Sequence, residues 1–406
     1  MTEQTARLGV GQGTALLVGA VLGPGMLALP HLAAAAAGPA SVLAWAALLV
    51  LSVPVALTFA ALGSRHPGGG GVAAFTGLAF GRRAAAVAGW WFYGSVPLGI
   101  VAGALVGGQY VAASSGVPAP LAAAVLLGGA FLVNAAGLRT SGRVQVVLVG
   151  LLVALLAVAV ITAAPHAEAA AFTPFAPYGA AGVVSAAGVL LFAFVGWEAA
   201  SHLSAEFAAR GGLLRATVVT LAVISVLYLG VCLTTIGVLG PAAATTQAPL
   251  AALLETGIGP AARPLTGVLA VLLTFGAINA YVAGAARLGV ALARDGALPG
   301  WFAGGGTPLR SLGLLAVITV PVLVWAVDLD LLMRATSACL AAVTFAGVTA
   351  AVRVLPAGRH RATARAASAL SLVALAACGA YLLVPAVLAG VAVIALKAGE
   401  RRPLPR

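Results

Sequence analysis

Charged residues are spaced so widely along this chain that long apolar segments make up most of it. Asp, Glu, Lys and Arg are absent from residues 8–64, 84–138 and 216–254. An α-helix needs about 20 apolar residues to cross the hydrocarbon core of a bilayer, so each of the first two segments holds two membrane spans. The pattern therefore predicts an all-α integral membrane protein.

The limits of the apolar segments predict about twelve spans within a single transmembrane domain, residues 1–406. The last two spans are short, and the pattern leaves open whether the final apolar segment holds one helix or two. The predicted spans are residues 10–37, 40–63, 84–113, 118–137, 143–163, 180–206, 216–239, 264–293, 311–327, 331–352, 366–382 and 384–397.

Basic residues outnumber acidic ones, 21 to 9, which gives a formal net charge of +12. Such an excess can indicate binding to nucleic acid, but the positions of these residues indicate membrane topology instead. With the amino terminus inside, 19 of the 21, all but Arg263 and Arg334, fall in or beside cytoplasmic loops and tails, as the positive-inside rule requires. We expect a multi-pass protein in the lipid bilayer of the cell membrane, with both termini cytoplasmic and no nucleic-acid partner.

The first span is interrupted by the sequence Gly23-Pro24-Gly25. Proline removes one helical hydrogen bond and clashes with the preceding turn, and glycine lowers the cost of leaving helical geometry. Free backbone groups are costly in lipid unless they line a cavity or meet a partner. By itself the motif fits two interpretations, a kink stabilised by neighbouring helices or an unwound segment at a binding site.

The sixth span carries a second interruption, within LLFAFVGWEAASHL at residues 190–203. Gly196 and Glu198 lie near its middle, and Glu198 is the only acidic residue deep inside any predicted span. An ionisable group at that depth is expensive and by default functional. Spans one and six are five spans apart and therefore run in opposite directions, as an inverted repeat of five plus five helices would produce. The repeats would be residues 10–163 and 180–352, followed by two final helices at 366–397.

Two broken helices of opposite direction suit a zwitterion. Amide groups at one break form a positive helix end that can hold a carboxylate, and free carbonyl groups at the other can hold an ammonium group. The sequence therefore predicts a mid-membrane site for an amino acid, built largely from backbone groups.

Four segments resemble the amino acid, polyamine and organocation superfamily of transporters. GAVLGPGMLALP in span one stands where that family carries a glycine-rich motif, and HPGGGGVAAFTGLAFGRRAAAVAGWW (66–91) is similar to its first cytoplasmic loop. FAFVGWEAASHL matches its span-six pattern, and ARLGVALARDGALPGWFA (286–303) matches the segment after span eight. The resemblance, closest to the bacterial exporters of methionine and branched-chain amino acids, implies a LeuT-like fold with broken helices 1 and 6.

The same resemblance implies which residues bind the substrate. Backbone groups of span one would surround its carboxylate, those of span six would face its amine, and Glu198 is a candidate for proton coupling. Pro24 departs from the family pattern, where a small hydroxyl residue is usual, and one amide donor is lost there. The implied binding residues are Leu22, Gly23, Pro24, Gly25, Met26, Phe192, Ala193, Phe194, Val195 and Trp197.

Other polar residues leave alternatives open. Asn279, deep in span eight, either lines the site or bonds to a neighbouring helix. Some family members carry a span-five lysine in place of a sodium site, whereas Gly150 stands near that place here. The histidines show no metal-ligand grouping and the three cysteines lie singly in apolar spans, so we expect no metal and no cofactor.

These features predict a secondary transporter of neutral, apolar amino acids such as methionine, leucine, isoleucine and valine, working by alternating access in the export direction. An uptake permease or an exchanger of the same superfamily is the alternative. A membrane-embedded enzyme would need paired acids, a histidine cluster or a metal set at one membrane depth, so we do not expect an enzyme.

Overall fold

The structure, a computed structural model, describes residues 9–66, 71–137, 142–194, 196–198, 200, 207, 211–303, 308–325 and 328–400. Regular secondary structure in these ranges is helical, which confirms the predicted all-α class. The α-helices are α1 (Val10–Val21), α2 (Leu29–Ala37), α3 (Ser41–Arg65), α4 (Gly71–Phe80), α5 (Arg82–Ser115), α6 (Ala119–Ala135), α7 (Gly142–Ala163), α8 (Gly179–Leu190), α9 (Gly212–Leu239), α10 (Pro249–Ile258), α11 (Ala262–Arg294), α12 (Leu309–Trp325), α13 (Leu329–Val354), α14 (Arg359–Ala376) and α15 (Leu383–Glu400).

Within the described ranges, 7 helical segments are long and apolar enough to cross a membrane by themselves. Their outward faces carry large apolar side chains, for example Ile161, Val226 and Ile394, which are 71%, 72% and 70% exposed. Apolar surface of this extent is suited to lipid rather than water. The segments are Leu29–Arg65, Arg82–Ser115, Val144–His166, Gly212–Ala244, Ala262–Arg294, Leu329–Val354 and Gly379–Ala398.

Spans one and six are not continuous helices. Helix α1 has 12 residues and ends at Val21, and α8 has 12 residues and ends at Leu190, so each stops about halfway through its predicted span. Each is followed by a 3-10 turn, Pro24–Leu27 or Leu191–Phe194. The second half of predicted span six, residues 195–206, lies mostly outside the described residues.

Two short helices were not predicted. Helix α4 has 10 residues and occupies a segment that the sequence analysis assigned to a cytoplasmic loop, and α10, also of 10 residues, lies between spans seven and eight. Segments this short are not resolved by counting apolar runs of membrane length.

The two longest helices, α5 and α11, pack against each other and form the centre of the molecule. Glycine allows this approach: a Cβ atom at Gly107 would lie 2.6 Å from Thr274 Oγ1, and one at Gly89 would lie 2.6 Å from Leu292 Cδ2. Helices α6, α13 and α15 also pack on α5. Small residues at such contacts let helix backbones approach closely in lipid, where van der Waals packing replaces the hydrophobic effect.

A partly buried amide pair connects α6 to α11. Asn134 Nδ2 donates to Asn279 Oδ1 at 2.6 Å and also to Ala130 O at 2.9 Å. Asn279 is 4% exposed. Of the two alternatives for Asn279, a bond to a neighbouring helix is therefore present.

We predict that Asn134 and Asn279 are energetically coupled. Alanine at either position should lower the free energy of unfolding, and a double-mutant cycle should give a coupling of about 0.5–2 kcal/mol, as for other interhelical hydrogen bonds in membranes. Unfolding in mixed micelles measures it. Strictly additive single-variant effects would contradict the pairing.

Candidate functional site

The first break spans the residues between α1 and α2. Gly23 N–H donates to Val21 O at 3.0 Å, and Met26 N–H donates to Gly23 O at 3.2 Å, so the chain turns tightly and leaves α-helical geometry. Pro24 begins the 3-10 turn that follows, a position where its missing amide proton is not needed by the helix. The break thus arises from the local chemistry of Gly23 and Pro24.

The second break follows α8 and includes Gly196. This residue has φ 117°, a conformation that favours glycine, and its N–H donates to Glu198 Oε2 at 3.0 Å. Glu198 is 8% exposed. Its carboxylate therefore holds an amide freed by the break that it follows.

The two breaks are in direct contact. A Cβ atom at Gly196 would overlap the Ala20 carbonyl oxygen and lie 3.0 Å from Val21 Cα. On the other side, a Cβ at Gly25 would lie 2.6 Å from Phe192 Cδ1. Glycine at both positions is what lets the two interrupted helices meet.

Two tyrosines satisfy carbonyl groups that the breaks release. The Tyr228 hydroxyl, from α9, shares its proton between Val21 O at 3.2 Å and Ala193 O at 3.0 Å, one carbonyl from each break. The Tyr110 hydroxyl, from α5, donates to Leu27 O at 2.7 Å and accepts from Leu250 N–H at 3.3 Å. Because unpaired carbonyls are costly in an apolar interior, these hydroxyls stabilise the broken conformation.

A cavity of ≈ 290 Å³ lies beside the contact between the breaks, and we call it the central cavity. Its walls come from the end of α1, from one face each of α7 and α11, from Phe92 on α5 and from the second break. Glu198 is the charged side chain among its described lining residues. The lining residues are Gly19, Ala20, Leu22, Gly23, Phe92, Gln145, Leu148, Val149, Leu152, Gly196, Glu198, Leu273, Gly276, Ala277, Ala280, Tyr281 and Gly284.

Two further cavities adjoin the central one. A vestibule of ≈ 810 Å³, bordered by α4, by the start of α5 and by the end of α11, shares Phe92, Glu198 and Gly284 with it. A narrow chamber of ≈ 40 Å³ lies between α5, α11, α13 and the end of α1, and it shares Ala20, Gly23, Phe92 and Tyr281 with the central cavity. The Phe92 ring therefore lies where all three spaces meet.

The predicted binding residues fall into several groups. Leu22 and Gly23 line the central cavity, and Gly23 has open space where a Cβ would project. Phe192 lines the narrow chamber, and the carbonyl of Ala193 is bound by Tyr228. Gly25 and Met26 are buried, with Gly25 facing Phe192. The side chains of Pro24 and Phe194 and all of Val195 lie outside the described structure.

Trp197 and Asn279 point to other neighbours. Trp197 is 1% exposed, its Nε1–H donates to Ser52 Oγ at 3.2 Å, and it lines a separate small cavity. Asn279 faces Asn134. Neither residue is among the described residues that line the central cavity.

Sequence reasoning missed most of the apolar wall. On α11 the lining residues Leu273, Ala277, Ala280 and Gly284 recur at helical spacing and form one face. Asn279 lies on a different face of that helix, which contacts Asn134 of α6 and not the central cavity. Gln145, Leu148, Val149 and Leu152 show the same spacing on α7. The signal was present as periodicity, but it does not say which of several apolar faces meets a cavity.

A family model described as amino acid permease matches residues 8–397, nearly the whole chain. The chain belongs to the amino acid permease family. Members of this family are transporters, and the protein is a multi-pass membrane transporter rather than an enzyme.

Individual relatives agree with the family. The chain is 33% identical over 356 residues, 85% of its length and 84% of the relative's, to the uncharacterized amino acid permease YecA of Bacillus subtilis. It is 36% identical over 213 residues to the L-methionine/branched-chain amino acid exporter YjeH of Escherichia coli, which covers 51% of this chain and 50% of that protein. It is 26% identical over 312 residues, 71% of this chain and 67% of the relative, to the branched-chain amino acid permease BcaP of Bacillus subtilis.

We predict that Gly196→Ala abolishes transport by this permease. The new Cβ would overlap the Ala20 carbonyl oxygen, and a non-glycine residue would be strained at φ 117° by about 1–3 kcal/mol. Flux of labelled leucine in membrane vesicles, normalised to protein abundance, is the measurement. Gly313→Ala is the matched control, because a Cβ there meets open space. Normal flux in the Gly196 variant would show that close contact between the breaks is dispensable.

Proposed function

We propose that this permease is a secondary transporter of neutral amino acids with apolar side chains, such as methionine, leucine, isoleucine and valine. The observation that carries the proposal is the central cavity at the contact between two broken helices. It combines backbone groups, one carboxylate and apolar walls.

The cavity's chemistry favours a zwitterion. Helix α1 ends at Val21, so its negative dipole end and the Glu198 carboxylate both border the cavity and would attract a substrate ammonium group. The 3-10 turn at Pro24–Leu27 and the start of α2 present the positive end of a helix, which would attract the carboxylate. The open space at Gly23 lies between these two ends of opposite sign.

The walls favour an uncharged side chain. Leu148, Val149, Leu152 and Leu273 offer apolar surface. No basic residue is among the described residues that line the central cavity, so an acidic side chain would lack a counter-charge there. Burying an unpaired charge is costly, whereas a branched aliphatic or thioether side chain would bury apolar area.

An inverted repeat of five plus five helices, residues 10–163 and 180–352, is part of the proposal. Helix lengths support it: α4 and α10 both have 10 residues, α5 and α11 have 34 and 33, and α6 and α12 both have 17. The last two pairs are spans three and eight and spans four and nine, five spans apart like the two breaks, and α4 and α10 directly precede spans three and eight. Helices α14 and α15 would follow the repeats, as the final pair expected at 366–397.

Alternating access would use this arrangement by rocking one helix bundle against the rest. The vestibule joins the central cavity at Phe92, Glu198 and Gly284, which makes it the route to one side. With the amino terminus cytoplasmic, as the distribution of basic residues favours, that side of the cell membrane is the cytoplasm.

Export is the direction we favour, because the relative YjeH is named as an exporter of methionine and branched-chain amino acids. BcaP, named as a permease for branched-chain amino acids, supports uptake or exchange as the alternative. Purified permease in liposomes, tested with labelled amino acids with and without ion gradients, separates these cases. Preference for arginine, lysine or glutamate in competition would refute the proposed substrate class.

We predict that Gly23→Leu abolishes transport while membrane insertion stays normal. The leucine side chain would project into the open space of the central cavity that the substrate needs. Gly128→Leu is the control, since Gly128 lies on an exposed face of α6 and a Cβ there meets nothing within 4 Å. Substrate flux and binding in liposomes measure the effect. Wild-type flux in the Gly23 variant would show that the substrate does not bind at Gly23.

Glu198 is the proposed proton-coupling residue, since it lies between the central cavity and the vestibule. Glu198→Gln keeps the shape and resembles the protonated carboxyl, so we expect substrate binding to weaken through the lost charge but to persist, and the pH dependence of transport to be lost. Glu255→Gln is the control, because that carboxylate lies outside the cavity and pairs with Arg263 at 2.6 Å. A wild-type pH profile in the Glu198 variant, with accumulation still driven by a proton gradient, would assign Glu198 a structural role.

A further inference from the structure

A small cavity of ≈ 20 Å³ lies against Trp197 and shares no lining residue with the central cavity, the vestibule or the narrow chamber. It is enclosed by α3, by the second break, by α13 and by α14. Three of its lining residues carry hydroxyl groups, Ser52, Thr344 and Ser371. We call this space the Trp197 cavity.

Ser371 makes the Trp197 cavity unusual. The residue is 3% exposed, and its Oγ has no hydrogen-bond partner among the described residues. Most buried serines and threonines of this protein donate to a carbonyl one turn earlier on their own helix, as Thr336 does to Leu332 O at 2.8 Å. A buried hydroxyl with no partner costs about 1–3 kcal/mol, so a native structure normally supplies one.

We propose that the Trp197 cavity binds one ordered water molecule, which joins Ser371 to Ser52 and Thr344. A buried water needs a cavity of roughly 10–15 Å³ and two to four polar partners. The Trp197 cavity, with ≈ 20 Å³ and three hydroxyl groups, offers both. Ser371 Oγ–H donates to the water, and the water donates to Ser52 Oγ and Thr344 Oγ1.

The hydrogen-bond capacity of Ser52 agrees with this arrangement. Its hydroxyl proton goes to Leu48 O at 3.0 Å, and one lone pair accepts from Trp197 Nε1–H at 3.2 Å. A hydroxyl oxygen has two lone pairs, so one acceptor site on Ser52 remains for the water.

The water anchors the second break from outside the central cavity. Trp197 stands between Gly196 and Glu198, both of which line the central cavity, while its own indole is held by Ser52. The water extends that contact to α13 and α14. It thereby positions residues 196–198 from the side that faces away from the central cavity. This role concerns the wall of the site and does not depend on which substrate is carried.

Whether replacing Ser371 lowers or raises the unfolding temperature tests the proposed water site. If Ser371 Oγ binds water, Ser371→Ala removes a satisfied hydrogen bond and should lower the unfolding temperature in detergent by about 2 °C. The matched control is Thr235→Val: Thr235 is 1% exposed, its Oγ1 also lacks a partner among the described residues, and it lines none of the cavities described above. That change removes a hydroxyl with no water site and should leave the unfolding temperature unchanged or raise it.

A Ser371→Ala variant as stable as wild type, or more stable, would overturn the water site. Ser371→Thr, which keeps the hydroxyl, should retain more of the wild-type stability than Ser371→Ala. A density map at high resolution should show a peak within hydrogen-bonding distance of Ser371 Oγ and Ser52 Oγ, and an empty cavity there would also refute the proposal. These readouts need no transport assay, so they stand or fall separately from the proposed function.

Discussion

The broken helices depend on finding partners for the backbone groups that they release. In water those groups would be solvated, but within an apolar bundle each carbonyl or amide must be met by the protein. Tyr228 meets one carbonyl from each break, Tyr110 meets a third, and Glu198 accepts the Gly196 amide. The break conformation is therefore a property of the surrounding helices α5 and α9 as much as of the broken segments themselves.

The contacts that pair these backbone groups also shape the central cavity beside the two breaks. Because Gly196 lies directly on the Ala20 carbonyl, the ends of α1 and of the second break come together, and Glu198 is carried to the edge of the central cavity. Most of the remaining wall is apolar side chain from α7 and α11, with Gln145 and Tyr281 as its polar members. A carboxylate near the negative end of α1 is unfavourable without a counter-charge, and a substrate ammonium group would supply one in the proposed cycle.

Local sequence was a reliable guide where local chemistry decides the structure. Helix α1 ends two residues before Gly23-Pro24, where the sequence predicted an interruption. Helix α8 ends at Leu190, six residues before Gly196, so the second interruption begins earlier than that glycine indicates. The directions in which side chains point were harder to predict from the sequence. Trp197 follows the second break in sequence, yet its indole is bound by Ser52, and Asn279 faces α6 while its neighbours Ala280 and Tyr281 line the cavity.

The sequence by itself determined the all-helical membrane class, indicated that spans one and six are interrupted, and marked the isolated acid of span six. Each of these follows from hydropathy, from proline and glycine geometry, or from the cost of a buried charge. Only the tertiary structure decided which groups meet at the breaks. Tyr228 lies 207 residues from Val21, and no local pattern marks it as the donor that holds both interruptions. Periodicity defines a face relative to its own helix, whereas the partner of that face depends on how distant helices pack.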